Sequence, residues 1–389
     1  MTSNNHGIKA ALNGKQDELK NKLDDLFQGL YKAKGVRQAI AAIESGDGSF
    51  RWSRAESKEG NGVEIKLESP FWIASITKLF IAAAILKLQE KQKLMIEHPA
   101  REYLPQGYLE RLHVNKKGVN KSGEITIRNL LSHTSGLPDY IEIKPKGGKS
   151  LFEKVLEEGD YSWSIMDSMQ IVKEAGSPLF DPQPVENKDK KARYSDTNFQ
   201  LLIAIIEEIT GKPIDTVFRD MFYKPLNMQN TFHPGSKPLD PNTPEPLPVW
   251  GGNKKMDIPL AMKSFGDLYS TLTDLLNFMR NLNSGVVFDN PKTINLMQEE
   301  WNRFGFMISP IAPGWPIEYG LGMMRFEMPR FATPLKAVPA VIGHTGASGT
   351  WLFYCPEIDL YLVGAVSQVE AAAVPFRFVP KALSLLSVN

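Results

Sequence analysis

The sequence predicts an α+β protein, in which an antiparallel sheet is flanked by helices from both ends of the chain and a mainly helical region is inserted. Three observations carry this reading. Strand-like stretches occur near residues 36–57 and again in the last 50 residues. Between them, from about 88 to 245, helical patterns dominate. The chain has 389 residues, 42% apolar and 23% charged, which suits two packed regions around a sizeable core.

The elements follow in order. Residues 15–33 (KQDELKNKLDDLFQGLYKA) bring Leu19, Leu23, Phe27 and Leu30 round about once per turn, as in an amphipathic helix. VRQAIAAIESGDGSFRWSRAES then predicts a β-hairpin turning at Gly46–Gly48. Residues 71–86, FWIASITKLFIAAAIL, open a helix that is apolar all round, hence buried on most sides. TIRNLLSH starts at an N-cap, Thr126. DTNFQLLIAIIEEITGK stops at Gly211, placed as a C′ glycine, and PIDTVFRDMFYKPLNM has a proline near its first helical position. The proline-rich stretch 233–246 is a connecting loop. STLTDLLNFMRNLNSG begins with Thr271-x-x-Asp274 and continues as a helix. AVIGHTGASGTWLFYCPEIDLYLVGAVSQ predicts two strands turning at Pro356–Asp359, and VPFRFVPKALSLLSV a closing helix. The expected division is a discontinuous sheet domain, 10–87 with 246–389, and a helical domain, 88–245, with a functional site between them.

Bulk properties exclude several classes. A formal charge of +1 provides no field for nucleic acid or an anionic membrane. The single cysteine, Cys355, rules out an internal disulfide, and its strand context predicts a small buried hydrophobe. No run of 18 apolar residues suggests a membrane span. The first residues contain no apolar signal-like core, so the chain as given is expected in the cytoplasm, or exported if such a segment was removed. The six histidines form no H-x-x-x-H pair, so neither a metal nor another cofactor is expected, and His133 reads as structural. A G-x-S-x-G elbow is absent, which disfavours a Ser-His-Asp triad.

Within the apolar stretch, Ser75 and Lys78 stand at i and i+3 and share one helix face. A lysine taken out of water either finds partners or lowers its pKa, and a neutral amine beside a hydroxyl is a base beside a nucleophile. S-x-x-K alone is weak, because ordinary composition predicts about one or two per chain of this length. Here it occurs once. A lysine snorkelling from its own stem and a capping serine would explain it equally well.

Two further stretches add to it. RYSDTNFQ puts Tyr194 just before a helix with Ser195 and Asp196 as local caps, and a nearby lysine cation would lower the phenol's pKa for proton shuttling. GHTGASGTW places His344, Thr345 and Gly346 at a strand edge, where small residues admit a ligand and backbone N–H groups can polarise a carbonyl. Taken singly, each is more readily explained by structure, the tyrosine as packing at a helix entry and the H-T-G as a glycine-rich strand entry. The loop aromatics Tyr140, Trp163 and Trp315 stand open between cleft lining and packing.

Together, S-x-x-K, Y-x-(N/D) and (K/H)-T-G in this order resemble the serine β-lactamases and penicillin-binding proteins, within them the class C branch with its esterases, DD-peptidases and D-aminopeptidases. ITIRNLLSHTSGLPDY (125–140), PLNMQNT (225–231), LYSTLTDLLNFM (268–279) and YGLGM (319–323) extend the likeness over roughly 30–389. The resemblance implies a β-lactamase/transpeptidase-like fold and a serine hydrolase acting on small esters, amides or D-amino-acid peptides. It makes Ser75 the acylated nucleophile, Lys78 its base and Tyr194 the relay to the leaving group. His344 and Thr345 would line the substrate side, and the N–H groups of Ser75 and Ala347 would form the oxyanion hole. Burial of Lys78 would keep its proton labile. Two departures bear on substrate: His344 replaces a lysine that would hold a substrate carboxylate, and Asp196 replaces an asparagine. Asp196 is open between pairing with Lys78, attracting a substrate amine and capping its helix. The rival readings are a class C-type β-lactamase, a penicillin-binding DD-peptidase, and an inert binding scaffold.

Overall fold

The computed structural model describes residues 16–58, 64–304, 317–328 and 337–387. Its strands are β1 (Gln38–Ser45), β2 (Arg51–Ser57), β3 (Phe71–Trp72), β4 (Val249–Gly251), β5 (Lys254–Met256), β6 (Tyr269–Ser270), β7 (Asn302–Arg303), β8 (Ile317–Tyr319), β9 (Met324–Phe326), β10 (Val341–Gly346), β11 (Thr350–Cys355) and β12 (Leu360–Ala365). Its helices are α1 (Gln16–Tyr31), α2 (Thr77–Glu90), α3 (Ile127–Leu131), α4 (Leu151–Glu158), α5 (Ile165–Ala175), α6 (Asp196–Thr210), α7 (Ile214–Phe218), α8 (Pro259–Phe265), α9 (Leu272–Asn283), α10 (Ile294–Gln298) and α11 (Pro375–Leu386).

The α+β architecture is as the sequence predicts. One antiparallel sheet runs β2-β1-β12-β11-β10-β9-β8-β7, so strands from the two ends of the chain meet at its middle. In that junction Ile40 pairs with Ala365 and Ile43 with Leu362. The two-residue alternation of a strand sends Ala39, Ala41 and Ile43 to one face, where they pack with Leu19, Leu23 and Phe27 of α1 and Phe376, Val379 and Leu383 of α11. Ile40 and Ala42 face the other way, into the core that contains α2 and α9. Both faces are covered, so β1 is apolar nearly throughout.

Helix α2 explains its own composition. Phe80 stacks on Phe278 of α9 and meets Phe218 and Phe222 of the helical region, so α2 buries one side on the sheet and the other on helices. It runs to Glu90, three residues past the expected boundary at 87, and one core spans Ile40, Leu130, Phe199 and Phe222. Sheet and helical regions therefore share a core around α2.

Local signals were mostly sound. Thr126 caps α3 in a box with Asn129, Thr271 accepts from the Asp274 N–H, and Gly211 ends α6 with φ 64°. The expected helix after Pro213 is shorter: α7 has five residues and passes into a π turn, Arg219–Tyr223. Cys355 is buried, and burial pushes its thiol up to about 12.

Candidate active site

The site forms where the starts of α2 and α6 approach the end of β10. Ser75 lies in a single 3₁₀ turn, Ala74–Ile76, ahead of α2. Ala74 holds φ 46°, the left-handed region that costs a non-glycine residue about 1–2 kcal/mol. The Ile76 N–H closes this turn on the Ile73 carbonyl. Ser75 itself is partly exposed, while Lys78, one turn on, is buried.

Around the serine the sequence-predicted groups converge. Tyr194 Oη donates to Ser75 Oγ at 2.8 Å, and Lys78 Nζ donates to the same oxygen at 3.1 Å. Lys78 also donates to Asp196 Oδ1 in an ion pair. The ammonium lies 5.2 Å from the Tyr194 ring centre and 5.3 Å from that of Phe199. Of the three possibilities for Asp196, pairing with Lys78 is therefore observed. Ser195 precedes α6 but makes no side-chain cap; its hydroxyl donates to the Pro138 carbonyl at 3.1 Å.

This arrangement corrects the expected state of Lys78. Burial by itself would push the ammonium down, yet the carboxylates of Asp196 and Asp267 together outweigh it and hold the group above the ordinary lysine value. The resting lysine is charged. Tyr194 is also corrected: burial, followed by the Asp196 charge, raises its phenol well above the usual range. Asp267, which accepts from Trp72 Nε1 at 3.0 Å, is pushed up to about 7, chiefly by burial.

The H-T-G segment divides. His344 is buried and does not line a cleft. Its Nδ1–H donates to the Thr345 carbonyl at 2.7 Å, which leaves Nε2 to accept from Tyr319 Oη at 2.9 Å. Burial, with a smaller push from Lys78, lowers it to about 3, so the ring is neutral. Thr345, also nearly buried, turns its hydroxyl toward Met324 Sδ at 3.7 Å. Gly346 is needed for close approach: a Cβ there would stand 2.2 Å from Thr350 Oγ1, 2.6 Å from the Ile73 carbonyl oxygen and 2.9 Å from Ala74 Cβ. Ala347 follows in the turn to β11 and is partly exposed.

His133, which reads from sequence as structural, and Asp139, which carries no sequence signal of its own, both border the site. His133 Nδ1 accepts from the Ser195 N–H at 3.2 Å and from Asn198 Nδ2 at 3.0 Å, and its ring lies 4.5 Å from Tyr194 and 4.6 Å from Tyr319. Asp139 Oδ2 accepts from the Asp196 N–H at 3.1 Å. The 125–140 stretch thus anchors the start of α6, and its likeness to a known family was the signal available. Tyr140 is buried, Trp163 is partly exposed against Phe265 and Tyr161, and Trp315 lies outside the described residues.

An S-x-x-K helix start facing a Y-x-D helix start beside one antiparallel sheet defines a class of serine hydrolase. The chain belongs to the Beta-lactamase family, whose model its residues 23–378 match. Among its relatives, the D-alanyl-D-alanine-carboxypeptidase/endopeptidase AmpH of Escherichia coli (strain K12) is 25% identical over 344 residues, covering 86% of this chain and 79% of that one. The D-amino acid amidase from Ochrobactrum anthropi SV3, complexed with L-phenylalanine amide, superposes with a TM-score of 0.70 at 19% identity, covering 95% and 98% of the two chains. EstCE1, a hydrolase with promiscuous acyltransferase activity, does so with a TM-score of 0.71 at 18% identity over 94% and 98%. These two likenesses show the shared fold. Among the described residues, no helix is long and apolar enough to cross a membrane.

Proposed function

We propose that the protein hydrolyses small esters and amides, D-amino-acid peptides among them, through an acyl-enzyme on Ser75. The observation that carries this reading is the pair of hydrogen bonds converging on Ser75 Oγ from Lys78 and Tyr194 at the partly exposed start of α2. Both neighbours are donors in the resting state, so Lys78 must first shed a proton. Neutral Lys78 then takes the Oγ proton as the oxygen attacks the carbonyl carbon. The oxyanion that develops is assigned to the N–H groups of Ser75 and Ala347, with Thr345 and Gly346 shaping the strand beside it. Tyr194 hands a proton to the leaving group and recovers one from Lys78. Water releases the acyl group by the same route.

The buried neutral His344 argues against an efficient β-lactamase, because it presents no cation to a β-lactam carboxylate. A DD-peptidase reading draws support from the similarity to AmpH. The intact Ser75–Lys78–Tyr194 geometry argues against an inert scaffold. The test is p-nitrophenyl butyrate hydrolysis from the first seconds, in wild type and Ser75→Ala, with intact-protein mass. We expect an acyl adduct and release of nitrophenol in wild type and neither in the variant. Hydrolysis surviving in Ser75→Ala would refute the assignment, and rapid turnover of a chromogenic cephalosporin would reinstate the β-lactamase.

A further inference from the structure

The Lys78–Asp196 pair presents a difficulty for the reaction and also its resolution. A lysine held as a cation cannot take a proton from Ser75, and Asp196 is what holds it. Asp196 is engaged through one oxygen only. Oδ1 accepts from Lys78, whereas Oδ2 has no hydrogen-bond partner among the described residues, and 23% of the side chain is exposed beside the partly exposed Ser75 and Tyr194. Behind it, the buried Tyr140 hydroxyl faces Trp163 and feels the charges of Asp196, Asp139 and Asp267. Lys78 thus faces both Asp196 and Asp267.

We propose that Asp196 receives the ammonium group of a substrate carrying a free primary amine beside its scissile carbonyl, and that this exchange releases Lys78 to take the Ser75 proton. The proposal rests on the acyl-enzyme reading above and names its substrate class, the amides and esters of amino acids with a free amine. As the substrate ammonium docks on the open carboxylate oxygen, Lys78 loses one proton to solvent, so one cation replaces another. Its neutral amine accepts the Oγ proton while the O–C bond forms and the carbonyl electrons move onto oxygen. Collapse re-forms the carbonyl and breaks the bond to the leaving amine or alcohol, which departs with the proton Lys78 returns through Tyr194.

The other groups facing this pair are Asp139, Asp267, Tyr140, Tyr194, Tyr319, His133 and His344. Burial keeps both histidines neutral and all three phenols protonated, so Asp139 and Asp267 are the groups that titrate alongside.

The experiment compares D-alanine p-nitroanilide, its N-acetyl counterpart and p-nitrophenyl butyrate, in wild type and Asp196→Asn, across pH 5–10. Asparagine keeps the shape and the helix start while removing the charge. In wild type at pH 7 we expect kcat/KM for the free amine to exceed that of the acetylated substrate by about 10–100-fold, the worth of one charge-assisted hydrogen bond. In Asp196→Asn that preference should fall to near unity, and the acid limb for p-nitrophenyl butyrate should move down by about 1–3 pH units as Lys78 loses its partner. A free-amine preference that survives in the variant, or that is absent from wild type, overturns the proposal. Should the variant fail to fold, Ser75→Ala with D-alaninamide supplies the answer. Titration in two buffers of different ionisation enthalpy should show about one proton released per amine bound, and no release overturns the proposal. Failure to acylate Ser75 with any of the three substrates would sink the acyl-enzyme reading itself; acylation without amine preference sinks this proposal alone.

Discussion

Ser75 Oγ accepts two hydrogen bonds from groups that burial treats differently. Tyr194 is kept protonated by burial, whereas Lys78 is kept protonated by carboxylates in spite of it. Tyr194→Phe removes only the donor, since the ring remains packed against His133 and Phe304. We expect kcat to fall about 10²-fold or more with KM and melting temperature little changed, the signature of a lost proton donor. Comparable losses in KM would assign Tyr194 to binding. Ser75, Lys78 and Tyr194 were legible as residue types at a spacing. Their charge states were not, because the partner that sets Lys78 is 118 residues away in sequence and the enclosure of His344 depends on how β10 meets β9. A motif names the atoms present and leaves their surroundings open.

At the scale of elements, the site depends on how closely β10 passes the serine turn. Gly346→Ala would push a methyl group into the Thr350 hydroxyl, which donates to the Ile73 carbonyl, and into that carbonyl and Ala74, the residue already held at φ 46°. Overpacking of this kind costs about 1–3 kcal/mol, and here the backbone that yields carries the nucleophile. A folded protein with a melting temperature lowered by a few degrees and at least tenfold less Ser75 acylation is the expected result, read by calorimetry and adduct mass. Unchanged acylation would show that the turn does not need the strand. Farther away, Thr126→Ala removes the capping box of α3, whose far end leads directly to His133. It should cost about 0.5–2 kcal/mol in denaturant unfolding. Elements with strong local punctuation, such as α3, α6 and α9, were readable from their caps and stripes. The π turn after α7 was not, since nothing local in RDMFY distinguishes it from a helix.

For the whole molecule, the buried ionisable groups oppose one another in acid. His344 titrates near 3 when folded and near 6.5 when unfolded, so the unfolded chain binds the extra proton and stability falls as pH drops from about 6.5 toward 3. His133, lowered well below its usual value by burial, acts in the same direction. Asp267 acts oppositely: its folded value of about 7 lies above that of the free carboxyl, so protonation stabilises the fold as pH falls through 7. His344→Leu should lower the melting temperature at pH 7, by loss of the Tyr319 bond, and the gap to wild type should narrow steadily down to about pH 5. A constant gap would mean that the ring is not held neutral. The overall α+β plan was readable because strand patterns cluster at the two ends of the chain, but the single core shared around α2 was not, because composition shows that a helix is buried without showing by what.

The junction of β1 with β12 also governs how the protein is made. Ile40 leaves the ribosome well before its partner Ala365, with the whole helical middle made in between. Until then the hairpin of β1 and β2 has an open edge, and α1 has no α11 to complete its apolar face. Such long-range pairing is slow and leaves a nascent chain open to aggregation. The helical middle, by contrast, is synthesised with most of its helix partners close behind one another. The order of synthesis therefore runs against the order of the sheet, and the nucleophile's surroundings are completed only after the helical middle, when β10 closes over Ala74.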